Sequence, residues 1–195
     1  KDSLYCDDLK SPKRKSTTTC LHIIFEFLIK WLSPIISFTC EEAWSARGHD
    51  NNQSILLQNI NEHEFTYKDN SLNKVFHELK RIRKSVTSAL ELKRNEKLIG
   101  SSLQAKVILF LSKDTRKIIE DLDLAEMCIV SNLEIQDISN KSNDSIHFED
   151  EEIFVEIKLA DGEKCIRCWT IMQEVSSNKN NLCNRCEDVW KSFKQ

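Results

Sequence analysis

The residues with the clearest chemistry are cysteines. The chain has eight of them, and four fall in two Cys-x-x-Cys pairs, Cys165-Ile166-Arg167-Cys168 and Cys183-Asn184-Arg185-Cys186. Each pair places two sulfurs on one side of a tight turn. Two such turns facing each other make a closed tetrahedral site, which suits zinc because it binds thiolate well and has no ligand-field preference. The fourteen residues between the pairs, 169–182, fall just short of the usual four-cysteine spacing. The competing reading is four unrelated buried thiols or two disulfides, and it is disfavoured because nothing else in the sequence resembles a secreted protein. Cys165, Cys168, Cys183 and Cys186 are therefore expected to hold one structural Zn2+. Four sulfurs leave no open coordination position, hence no activated water and no Lewis-acid chemistry. Cys6, Cys20, Cys40 and Cys128 lack pair spacing and read as small buried or half-buried thiols in a reducing cytosol.

Other chemistry is sparse. The three glycines are far apart, so there is no phosphate-cradling loop, and the five histidines form no nucleophile–base arrangement. The acidic run Glu149-Asp150-Glu151-Glu152 reads as a solvated turn, since adjacent carboxylates splay apart. No active site is expected within these residues. Binding has two candidates. Lys80, Arg81, Arg83, Lys84, Arg94 and Lys97 form a basic helical face, which on charge count alone reads as a solvated surface. Trp169, directly after Cys168, either covers the sulfurs or stacks on an unpaired base; covering is favoured, because a small zinc unit has little other core.

These residues must be positioned by the rest of the chain. It has 195 residues, 40% hydrophobic and 30% charged, with a net charge of −3. That suits a soluble globular protein and excludes polyanion binding by bulk charge. The distribution is uneven: residues 70–100 carry eight Lys/Arg against three Asp/Glu, residues 114–163 four against fifteen, and residues 164–195 six against three. A basic helix and a basic tail flank an acidic middle. The chain opens at Lys1 without a signal-peptide pattern. Its most apolar stretch, 21–38, contains His22, Glu26, Lys30 and Pro34, too polar for a membrane span.

Ser11-Pro12 starts a helix, with Leu21, Ile24, Phe25, Leu28 and Leu32 forming an apolar face and Pro34 stopping it. Thr39 with Glu42 forms a capping box for a second helix, in which Trp44 turns inward and which Gly48 ends. A polar connection follows, with an extended piece at 54–57. A long helix begins near Asn70. Its stripe of Leu72, Val75, Phe76, Leu79, Ile82, Val86, Ala89 and Leu90 ends at Gly100. These helices describe part of an antiparallel bundle. Strands are expected at 105–111, 128–130, 133–135 and 153–159, with a short helix at 115–122, a loop at 137–146 and a turn at Asp161-Gly162.

Four segments occur in one order: Lys1-Asp2-Ser3-Leu4-Tyr5-Cys6-Asp7; Leu32-Ser33-Pro34-Ile35-Ile36-Ser37-Phe38-Thr39-Cys40-Glu41-Glu42-Ala43-Trp44; Lys97-Leu98-Ile99-Gly100-Ser101-Ser102-Leu103-Gln104-Ala105; and Gly162-Glu163-Lys164-Cys165-Ile166-Arg167-Cys168-Trp169. Together they resemble the C-terminal part of bacterial-type isoleucyl-tRNA synthetases. The resemblance implies an α+β fold: a mainly helical anticodon-binding domain (1–100), a small α+β junction (101–160) and a zinc-bearing, tRNA-contacting domain (161–195). It also implies a monomeric cytoplasmic ligase of isoleucine and tRNA, several times longer than these residues. ATP and Mg2+ would bind only in its catalytic domain, because the ATP-site signatures and the editing domain are absent here. It tips the basic face toward phosphate contacts. Gln104 stands where that family has Glu, and no contacts are carried over to the tail after Cys186.

Two rivals remain open. One is a DNA-binding zinc module like that closing the formamidopyrimidine-DNA glycosylases, although the helical segments have no place in it. The other is a zinc-stapled protein-interaction domain, which the acidic middle would suit.

Overall fold

The computed structural model describes residues 2–48, 53–59, 69–150 and 152–193. The chain forms two compact units, Lys1–Tyr67 and Lys68–Gln195.

The first unit is helical. It holds α1 (Asp2–Tyr5), α2 (Pro12–Leu32), α3 (Ser37–Ala46) and a 3-10 turn at Ile55–Leu57. The Ser11 side chain accepts from the Arg14 N–H at 3.5 Å, so α2 starts where Ser-Pro predicts. It ends at Leu32, two residues before Pro34. The second start differs from the expectation. Helix α3 begins at Ser37 with no side-chain cap, because the chain is already turning at 34–36. The neighbouring Glu41 carboxylate instead accepts from Ser54 Oγ at 2.8 Å and the Ile55 N–H at 3.0 Å. That anchor, with Ser54 capping the Leu56 N–H, makes 55–57 a 3-10 turn rather than an extended piece. Ile29, Cys40, Trp44 and Ile55 form the small core, with Phe25 and Ala43 against it. The Trp44 indole N–H donates to the Gln53 carbonyl at 3.0 Å.

The second unit is α+β. Its sheet runs β2 (Asn132–Asp137), β1 (Ala105–Leu111), β3 (Phe154–Leu159), with β1 central. β1 is parallel to β2, Val107 facing Leu133, and antiparallel to β3, Val107 facing Ile157. The near-continuous apolar run of β1 is what a strand covered on both faces requires. One cover is α4 (Asn70–Asn95), which buries Leu79, Ile82, Val86, Ala89 and Leu90 against Val107, Leu109, Leu111, Val155 and Ile157. The long helix thus packs on the sheet, whereas its periodicity alone grouped it with the preceding helices. A stripe shows that a face is buried and is silent on what buries it.

Three local expectations give way to backbone detail. α4 ends at Asn95, not at Gly100, and the turn that closes it is centred on Lys97. Lys97 takes φ 61°, the Leu98 N–H donates to the Lys93 carbonyl and the Lys97 N–H to the Arg94 carbonyl, which is a Schellman turn built on lysine. Gly100 serves the next turn, where the Gln104 side-chain oxygen accepts from the Gly100 N–H at 2.6 Å and the Ser101 N–H at 3.2 Å. Residues 128–130 are not a strand. They close α6 (Leu124–Cys128), with Ile129 left-handed at φ 58° and the Val130 N–H returning to the Ala125 carbonyl. The short helix expected at 115–122 is α5 (Lys113–Ile118), which starts earlier because Ser112 caps it.

β4 (Glu163–Lys164) and β5 (Ile171–Met172) pair in a small hairpin, and α7 (Asn184–Ser192) completes the unit. Gly162, at φ 116°, has no room for a side chain: a Cβ there would sit 2.3 Å from the Met172 carbonyl carbon. Buried Ser131 fastens the hairpin to the sheet, accepting from the Ile171 N–H at 2.8 Å and donating to the Leu103 carbonyl.

Candidate metal centre and nucleic-acid surface

The first cysteine pair sits in the loop of the β4–β5 hairpin. The Trp169 N–H donates to the Cys165 carbonyl at 2.9 Å and the Cys165 N–H to the Thr170 carbonyl at 3.0 Å, with Trp169 left-handed at φ 71°. This turn brings Cys165 and Cys168 to one side. The second pair opens α7: Cys183 precedes the helix and Cys186 lies in its first turn. The four sulfurs lie within 4.8 Å of one another. Cys168 and Cys183 are 3.8 Å apart, close to the edge of about 3.8 Å that a tetrahedron with zinc–sulfur bonds of ~2.3 Å demands. All eight cysteines are free thiols, so the disulfide alternative fails.

The surroundings favour thiolate. The Cys183 N–H points at Cys165 Sγ (3.4 Å) and the Arg167 guanidinium at Cys186 Sγ (3.6 Å). Burial works upward on Cys165, but N–H groups of Cys168, Cys183 and Arg167 outweigh it and bring its pKa to about 6. Burial and then the charge on Cys168 push Cys183 up; burial foremost does the same to Cys186. One thiolate forms readily and its neighbours resist following, which is the electrostatics of a pocket completed by a divalent cation. The donor set fits zinc and leaves no position for a reacting ligand. Cys165, Cys183 and Cys186 are buried, and with Val175 and Leu182 they make up the module's only apolar cluster among the described residues.

Trp169 lies outside this cluster. It is 52% exposed, with Lys164 Nζ 5.3 Å from its ring centroid. It is poorly placed to shield the sulfurs, contrary to the reading favoured from sequence.

The basic face divides. Lys80, Arg83 and Lys97 are exposed, and among the described residues they form no ion pair. Arg94 pairs with Glu91 one turn back on α4. Arg81 is saturated. Its Nε and one terminal nitrogen bond both oxygens of Asp150 (2.8 and 3.0 Å), that nitrogen also bonds Glu152 (3.0 Å), and the other terminal nitrogen bonds both oxygens of Glu78 (3.1 and 2.9 Å). Lys84 pairs with Glu149. Of the acidic run, expected as a solvated turn, Glu149, Asp150 and Glu152 dock on α4, and the carboxylates of Asp150 and Glu152 converge on one guanidinium. Arg81 holds Asp150 below the usual carboxylate range. Opposite charge in 78–84 and 149–152 was the only signal available from sequence, and some seventy residues of separation hid it.

Residues 1–109 match the family model of the anticodon-binding domain of tRNA ligases, and residues 162–189 match that of a zinc finger found in FPG and IleRS. The chain is similar to proteins named isoleucine–tRNA ligase. It is 40% identical to that of Bartonella henselae over 91% of the chain and 18% of the relative. It is 36% identical to that of Gluconobacter oxydans over 97% and 19%, and 36% to that of Staphylococcus epidermidis over 99% and 21%. The chain spans about a fifth of the length of these relatives. No described helix is long and apolar enough to cross a membrane.

Proposed function

Because the chain belongs to the family of anticodon-binding domains of tRNA ligases, we propose that it is the tRNA-binding C-terminal portion of an isoleucine–tRNA ligase. The whole enzyme joins isoleucine to its tRNA using ATP and Mg2+, held in a catalytic region outside these residues. It works as a monomer in the cytoplasm. Residues 1–100 act as the anticodon-binding part, 101–160 as the junction and 161–195 as the zinc-bearing part.

The observation that carries this reading is the order of the two matched regions along one chain, the second enclosing a four-sulfur cluster. Cys165, Cys168, Cys183 and Cys186 hold one Zn2+, whose work is to fold the module and present its surface. The anticodon loop offers unstacked bases, so Trp169 supplies a stacking face while Lys80, Arg83 and Lys97 meet phosphates. Arg81, Lys84 and Arg94 join them once released from their carboxylate partners. A DNA-binding module accounts for residues 162–189 alone, whereas the tRNA reading accounts for both regions.

Nuclease footprinting of isoleucine tRNA with the chain tests this. Protection is expected on the anticodon arm and not on the acceptor end. Uniform protection, or none at saturating protein, refutes the reading.

A further inference from the structure

We propose that Glu149, Asp150 and Glu152 form an intramolecular strap that occupies the phosphate-binding cations of α4, so that polyanions must compete with the chain's own carboxylates for Arg81 and Lys84. The proposal rests on the RNA-binding reading only for the identity of the polyanion.

The strap is pinned at both ends by apolar side chains. Phe148 packs against the main core, and Ile153 is 1% exposed within it. Between them, Glu149, Asp150 and Glu152 are tied to α4 by charge. All three nitrogens of the guanidinium are engaged by Glu78, Asp150 and Glu152. A phosphate must displace at least one of these carboxylates to make a two-pronged contact with Arg81. Lys84 Nζ is engaged by Glu149, an exposed pair of the kind that water and competing anions exchange easily. Two cations thus face four carboxylates, Glu78, Glu149, Asp150 and Glu152. The local charge is negative on a helix whose overall charge is positive.

Between strap and helix runs a groove of about 700 Å3, with Ser85 and Ser88 on the helix side and Phe148 on the other. It gives a phosphodiester room beside Arg81 and Lys84. Because both ends are pinned, the exchange takes place among side chains and the loop stays seated. The consequence is selectivity. Phosphate contacts are blind to sequence, and masking two of them lowers affinity for any polyanion. An RNA held in register by other contacts presents its phosphates at high local concentration and displaces the mask.

The test is the triple variant Glu149→Gln, Asp150→Asn, Glu152→Gln, with fold and zinc content checked. It should leave heparin at higher salt than the wild type. Its log affinity for isoleucine tRNA against log salt should steepen by up to two contacts' worth, roughly 0.7–0.9 each. Adding Arg81→Gln and Lys84→Gln should abolish both gains, and neutralising Asp114, Glu120 and Asp121 instead should reproduce little of them. A folded triple variant that elutes with the wild type overturns the proposal. So does a gain that survives loss of Arg81 and Lys84, or one equalled by the Asp114, Glu120, Asp121 control, since either is bulk charge. If the triple variant does not fold, Asp150→Asn alone carries the same expectation in smaller measure. A heparin gain without tRNA binding by either protein leaves the strap standing and removes the RNA reading.

Discussion

The four-cysteine module and the long helix α4 present basic residues by opposite means. The module has almost no apolar interior: three buried cysteines, Val175 and Leu182 are its cluster, and its shape depends on what binds the sulfurs. α4 supplies five of the seventeen buried residues of one continuous core, and its form needs no ion. The charges follow suit. The module bears an exposed indole beside Lys164, while two of the basic side chains of α4 are clamped by acids. Metal binding frees a surface from having to supply its own core, whereas a helix that carries a core has its outward charges exposed to capture by neighbouring loops.

The comparison breaks most sharply on removing a ligand. Cys168→Ser should unfold residues from about Gly162 onward while α4 and the sheet remain, because structural zinc of this type contributes on the order of 10 kcal/mol to folding its own module. Metal analysis and hydrogen exchange read the outcome, and loss of protection in α4 would contradict it. The reciprocal change, Ile82→Ala, empties a fully buried position against the sheet. It should cost about 2–5 kcal/mol in denaturant unfolding with zinc retained. Trp169→Ala should weaken tRNA binding by about 1–3 kcal/mol with zinc content unchanged, since the ring stands outside the sulfur cluster. Loss of zinc would return the indole to a covering role.

The smallest expected effect is in acid. Asp150 is depressed by its bond to Arg81, so its contribution to stability is present above the ordinary carboxylate pKa of about 4 and is lost as pH falls through its lower folded value. Asp150→Asn should flatten the stability profile in that acidic window and leave it unchanged near neutrality in shape. A wild-type slope there in the variant would show that the contact carries no linkage.

Features set by neighbours in sequence were legible. The cysteine pairs, the Ser11-Pro12 start, the stripe from Leu79 to Leu90 and the apolar run of β1 each state their own local structure. What was illegible depends on partners far along the chain or on rare backbone states. Lys97 and Ile129 adopt a left-handed conformation that their side chains disfavour, so neither advertised a helix end. Thr39 and Glu42 have the composition of a capping box, but the turn at 34–36 had already begun the helix. The seating of α4 on the sheet and the docking of Asp150 on Arg81 are tertiary facts; only the second left a trace in sequence, opposite charge in two segments some seventy residues apart.

On the proposed function, this chain grips tRNA through its anticodon arm. Equilibrium competition at fixed salt tests it most directly, using isoleucine tRNA, the same tRNA with a replaced anticodon, and duplex DNA of equal phosphate number. Binding should be tightest to the first, weaker to the second and weakest to the third, with the first difference lost when zinc is removed. Equal affinity for all three would contradict it.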